Sequence, residues 1–164
     1  MLKERDGKYY LVIEKARIMF RNFEGKEKGK NRAGDRNFCV VIEDPEEAQK
    51  LAADGWNVKT LGPRDGEEEE THFIQVKLKY GGGRPPRIII RTANNEIYYD
   101  EETVKNLDNA DLADIKIVIN PYHWEVNGKK GIKAYLNTLK ATLIDDDFFF
   151  EDEDSGAGIP FDVD

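Results

Sequence analysis

The stretch DIKIVINPYHWEV (residues 114–126), the pair Asn127-Gly128 and the run IKAYLNTLKATLI (residues 132–144) decide the fold class. Asn-Gly readily takes the left-handed backbone of a two-residue type I′ turn, and here it joins two runs rich in β-branched and aromatic residues. The segment reads as a long β-hairpin.

Working outward, residues 71–80 alternate, with Ile74, Val76 and Leu78 on one face and Gln75, Lys77 and Lys79 on the other. One face is basic. Residues 87–91 and 96–99 read as further strands, separated by the Asn94-Asn95 turn, and the unbroken apolar run Phe38–Ile42 reads as a strand buried on both sides. Residues 8–23 read as one long strand that puts Ala16, Ile18 and Phe20 in the core and Lys15, Arg17, Arg21 and Phe23 outside. Helix has two modest claims. Asp44 can cap a helix with Pro45 at its first position, Ala48, Leu51 and Ala52 on its apolar side and Gly55 at its end. Asp100-Glu101-Glu102-Thr103 offers a second start, through Leu107. Many short strands with one or two small helices point to a closed or partly open antiparallel barrel.

At 164 residues the chain is one domain by length, and its formal charge is −8. That average hides a segregation. Nine acids and no Lys or Arg lie between Asp145 and Asp164, which leaves 24 acids against 25 bases in residues 1–144. The expected organisation is a folded body, residues 1–144, and a disordered acidic tail, residues 145–164. The run Asp65, Glu67, Glu68, Glu69, Glu70 takes five more of the body's acids into a solvated loop. A lone cysteine, Cys39, excludes an internal disulfide and fits a reducing compartment, and no apolar run approaches the ~18–20 residues of a membrane span. A cytoplasmic protein that does not enter membranes is expected.

Catalysis finds little support. His72 and His123 stand in no metal-ligand spacing, the single serine Ser155 lies in the tail, and Gly81-Gly82-Gly83 leads into Arg-Pro-Pro instead of a phosphate-cradling helix. No enzyme, metal or cofactor is expected. Binding is better served. Eight bases against three acids lie between Lys15 and Arg36, interleaved with Met19, Phe20 and Phe23. Single-stranded nucleic acid offers phosphates and unpaired base faces, so its binder needs cations beside exposed rings. Arg17, Arg21, Arg32, Arg36, Lys77 and Lys79 are the candidate phosphate contacts, with Lys59 and Lys133 beside the rings. Phe23, Trp56, Tyr122, Trp124 and Tyr135 are the candidate stacking platforms. In the tail, Ile159, Pro160 and Phe161 offer apolar side chains to a partner, and the tail's acids can compete weakly for the basic groove.

Residues 17–59, with RIMFRNF, GDRNFCVVI and ADGWNVK, and residues 119–136, INPYHWEVNGKKGIKAYL, resemble bacteriophage-encoded single-stranded-DNA-binding proteins. The resemblance implies a mainly β oligonucleotide-binding (OB) fold, a five-stranded-type antiparallel Greek-key barrel. It also implies a role in coating single strands during phage DNA replication or recombination. The tail is similar to the acidic tails of bacterial single-stranded-DNA-binding proteins, which carry Ile-Pro-Phe after a run of acids; here Asp162-Val163-Asp164 follow it. That similarity implies docking of replication or recombination proteins, and a homo-oligomer is compatible with all of this. The rival readings are an acidic DNA mimic and a single-strand-annealing accessory protein.

Overall fold

The computed structural model describes residues 2–63 and 69–144, so the tail, Ile159, Pro160 and Phe161 included, and most of the acidic loop lie outside the described residues. Within them the chain is mainly β. Its elements are β1 (Leu2–Arg5), β2 (Lys8–Ile13), β3 (Ile18–Asn22), β4 (Arg36–Ile42), α1 (Pro45–Asp54), β5 (Val58–Leu61), β6 (Thr71–Leu78), β7 (Arg87–Arg91), β8 (Glu96–Tyr99), a 3-10 helix (Val104–Asp108), β9 (Leu112–Val126) and β10 (Lys129–Leu143).

The hairpin forms as the Asn-Gly pair dictates. Asn127 and Gly128 sit at φ +53° and +81°, and Val126 faces Lys129 across the turn. Each arm has 15 residues, about 50 Å of strand. On the outer edge of β9, Leu11, Val12 and Ile13 of β2 face Ile119, Val118 and Ile117. The outer edge of β10 is shared by three neighbours. The Ile132 amide donates to the Gly55 carbonyl (2.9 Å) at the end of α1, β6 runs parallel to Ala134–Tyr135, and β7 runs parallel to Thr138–Thr142. The sheet path is β1-β2-β9-β10-β6-β4-β3, with β5 on β6 and β8 on β7. The described sheet is not closed, the partly open form that an OB-type barrel allows. Two of its pairings are parallel, which an all-antiparallel reading does not contain.

Residues 8–23 are two strands and not one. Lys15 takes φ +50°, the Ala16 amide bonds the Ile115 carbonyl, and the chain leaves β9 to pair with β4 at the far side of the sheet. A bulge follows inside β3. Met19 faces Cys39 but Asn22 faces Asn37, and Phe20 sits at φ +53°. The extra residue shifts the alternation beyond it by one. Phe20 therefore points outward, 53% exposed, while Phe23 is fully buried and stacks on Phe38 at 5.3 Å. Both placements reverse the sequence expectation.

The helix obeys its sequence signals. The Asp44 carboxylate accepts the Glu46 amide (2.9 Å), Ala48 and Leu51 are buried, and Gly55 at φ +111° turns the chain out. Ala52 stays exposed. The second start yields a single 3-10 turn, whose Asp100 carboxylate accepts the Glu102 and Thr103 amides. Leu11, Phe38, Val76, Ile90, Leu107, Ile117, Ile119 and Leu139 form the centre of one core.

The end of β3 and the 3-10 helix are locked reciprocally. The Arg21 guanidinium donates to the Leu107 and Ala110 carbonyls (2.9 and 2.6 Å), and the Asp108 carboxylate accepts the Phe23 and Glu24 amides (2.7 and 3.0 Å). Removing one partner strands the other's polar groups, at a cost of about 1–3 kcal/mol. Asp108→Ala is expected to lower the urea midpoint by that amount of stability with an unchanged m-value, measured by circular dichroism.

Candidate nucleic-acid interface

Directly paired residues share a face of a sheet, so the register assembles the site. Trp124 faces Gly131, Tyr122 faces Lys133, and Asn120 faces Tyr135. Tyr135 then faces Lys77 on β6, and Lys77 faces Asn37 on β4. Four expected site residues thus stand together on the side of the sheet turned away from the core: Tyr122, Lys133, Tyr135 and Lys77. Tyr122 and Tyr135 meet edge to face at 5.9 Å, with Tyr122 56% exposed. Neither Lys77 nor Lys133 is ion-paired to a described residue, and both are exposed.

Trp124 closes one end of this face. A Cβ on Gly131 would lie 2.9 Å from its indole ring, so the glycine lets the ring lie against the β10 backbone. The ring borders a cleft of about 460 Å³ shared with Gln75, Lys77, Lys130 and Lys133. At the other end, Phe20 packs edge to face on Phe73 at 5.8 Å, and Lys59 lies opposite Phe73 on β5. Arg17 reaches the same side at the β3 border, where its carbonyl accepts the Val41 amide. Its pairing with Glu43 is exposed and long (3.5 Å), so it restrains the guanidinium little. Lys79 continues the Lys77 side just beyond β6 and is exposed, as is Arg32 in the loop before β4.

Four other expected site residues are used by the fold. Phe23 is buried for the reason given above. Trp56 is 4% exposed because its amide bonds the Leu51 carbonyl and its backbone bridges Ile132, which seals the indole under the end of α1. Arg21 is engaged by the 3-10 helix carbonyls. Arg36 donates to the Phe23 and Glu24 carbonyls (2.6 and 3.0 Å) and lies 5.9 Å from the centre of the Tyr80 ring. Outside the expected set, the same side and its cleft also hold Phe20, Gln75 and Lys130, whereas Phe73 beneath Phe20 is buried. Alternation places Phe20 in the core, and only the bulge in β3 brings it out.

The floor of the face is apolar where β4 crosses it. Cys39 is 5% exposed there, and burial pushes its thiol up to about 11, with the Lys59 ammonium pulling the other way.

Among the described residues this β surface carries paired rings and flanking cations, the two ingredients that a binder of extended single strands needs. A family model, the phage ssDNA-binding domain, matches residues 3–163, and the chain belongs to that family. No curated protein matches the chain. Among solved structures the chain is similar to the single-stranded DNA-binding protein from bacteriophage Enc34, at 14% identity and a TM-score of 0.49, over 94% of this chain and 96% of that one. The same phage protein in complex with ssDNA matches at 15% identity and a TM-score of 0.48, over 84% of this chain and 88% of that one.

Cys39 yields a pH test. An acid whose folded pKa is raised contributes stability that is whole below its ordinary value near 9 and is lost as pH climbs through about 11. The difference in urea midpoint between wild type and Cys39→Ala is expected to move against the wild type across that window, and to stay constant from pH 6 to 8.

Proposed function

We propose that the chain coats single-stranded DNA without regard to sequence, as a non-catalytic protein of phage DNA replication or recombination. The observation that carries this reading is the cross-strand set Tyr122, Lys133, Tyr135 and Lys77, in which rings and cations alternate on one exposed surface. Every base has a flat face, so stacking on Tyr122, Tyr135 and Trp124 tolerates any sequence, at about 1–3 kcal/mol per base. Lys77, Lys133, Lys59 and Arg17 neutralise phosphates and release counterions, which makes affinity fall with salt. Specific base-edge contacts are not needed for either term.

The acidic tail, residues 145–164, is read here as a weak internal competitor for this surface. Its Ile159-Pro160-Phe161 segment would dock a replication or recombination protein when single-stranded DNA displaces it. The high local concentration of a tethered segment makes even weak pairing effective, and added salt weakens it.

Titration of dT oligomers, followed by intrinsic tryptophan fluorescence, tests the reading. Tyr122→Ala and Tyr135→Ala are each expected to weaken binding by about 5- to 150-fold, equivalent to about 1–3 kcal/mol. Lys77→Ala with Lys133→Ala should flatten the plot of log affinity against log salt by about 1.4, at ~0.7 per cation for single strands. Trp124→Phe should remove the fluorescence change, since Trp56 is sealed from solvent. Unchanged affinity in both tyrosine variants would count against stacking. Deleting residues 145–164 is expected to strengthen binding at low salt and to make little difference at high salt.

A further inference from the structure

The aromatic surface does not end at Tyr135. Along the same side of the β9–β10 ribbon, Thr138 faces Val118, Lys140 faces Lys116, and Thr138 also faces Arg87 of β7. On the other flank Val12 of β2 faces Val118, and Lys3 and Arg5 of β1 face Tyr10 and Lys8. All of these but Lys8 line a cleft of about 650 Å³ that contains five cations, Lys3, Arg5, Arg87, Lys116 and Lys140, against the carboxylates of Glu4 and Asp6. None of the five is ion-paired to a described residue. Lys116 and Lys140 stand directly opposite one another, a like-charge pair that is unfavourable by itself, and both also border a neighbouring cleft that holds the carboxylates of Glu14, Glu96 and Asp114.

The floor between the rings and this cleft is polar and organised. Thr138 Oγ1 donates to Asn137 Oδ1 (2.7 Å), and Asn137 Nδ2 donates to Asn120 Oδ1 (3.0 Å). Asn120 is the residue opposite Tyr135. The register shift between Leu136 and Thr138 is what gives Asn137 this position. From Tyr122 to Lys116 is six residues, about 20 Å along the strand.

We propose that this cleft is a second, backbone-reading subsite for the same single strand. Bases stack near the hairpin tip, and the continuing phosphodiester chain crosses the Asn120–Asn137–Thr138 floor to lie between Lys116, Lys140 and Arg87. Tyr10, on the β2 side of the cleft, offers one further ring. The proposal rests on the single-strand reading above and extends it, because it predicts that affinity grows with strand length beyond what the aromatic zone can hold.

The test uses the full chain and two dT oligomers, of about 6 and about 20 nucleotides, chosen around the 4–16 nucleotides that an OB fold holds. The triple variant Arg87→Ala, Lys116→Ala, Lys140→Ala is expected to bind the short oligomer as wild type does. It should bind the long one about tenfold more weakly at low salt, with a salt slope shallower by about 2 for three lost cations. Lys116→Arg with Lys140→Arg should bind the long oligomer as wild type does. A urea midpoint equal to that of wild type verifies folding, since all three positions are exposed. Equal long-oligomer affinity and slope in the triple variant would overturn the second subsite while leaving the first intact. Failure of the parent reading looks different: wild type would bind neither oligomer, or Lys77→Ala with Lys133→Ala would bind both unchanged.

Discussion

A fifteen-residue strand carries more backbone donors and acceptors than one short neighbour can pair, and groups left unpaired inside a protein are costly. β10 meets this constraint by giving successive lengths of one edge to the end of α1, to β6 and to β7. Much else follows. Parallel pairing needs long crossovers, so β7, β8, the 3-10 helix and β9 all lie between β6 and its parallel neighbour β10. The junction between β6 and β7 falls at Leu136–Thr138, where the ribbon shifts register against β9. The same kink that lets β10 change partners presents Asn137 to Asn120.

This arrangement also explains why the proposed interface is a surface and not a pocket. The core side of the sheet takes Ile115, Ile117, Ile119, Ile132, Ala134 and Leu136, and α1 adds Ala48 and Leu51 to it. What is left on the other side is set by alternation. Tyr122, Lys133 and Lys77 are exposed there and Trp124 and Tyr135 half-buried, which suits the long, flat ligand proposed above. Gly131 completes the geometry, since any side chain there would meet the Trp124 indole.

Cations of identical sequence character serve two purposes. Arg21 and Arg36 lie in the most basic stretch of the chain, yet their guanidinium groups satisfy carbonyls at the ends of irregular segments. A planar donor fork is well suited to that task. Lys77 and Lys133 sit in regular strands whose backbone is already paired, and so nothing in the fold recruits them. The fold holds Arg21 and Arg36 through backbone carbonyls and leaves Lys77 and Lys133 exposed.

Local signals were enough for the mainly β class, the Asn127-Gly128 hairpin, the capped helix from Pro45, the buried strand read at residues 36–43 and the basic side of β6. Each is a local matter of turn chemistry, capping or alternation, readable within about ten residues. The sequence also placed Tyr122, Lys133, Tyr135 and Lys77 among the candidates, from the alternation of residues 71–80 and from aromatics that lie close to lysines in the hairpin. That Phe20 is outside and Phe23 inside, that Trp56 is sealed, and that residues 8–23 divide between opposite flanks of the sheet followed from long-range packing. The reason is common to all three. A positive φ at Lys15 or Phe20, or a docking contact between Gly55 and Ile132, is imposed by partners some 75 to 100 residues away or across the sheet, and a one-residue shift in a strand exchanges its two faces.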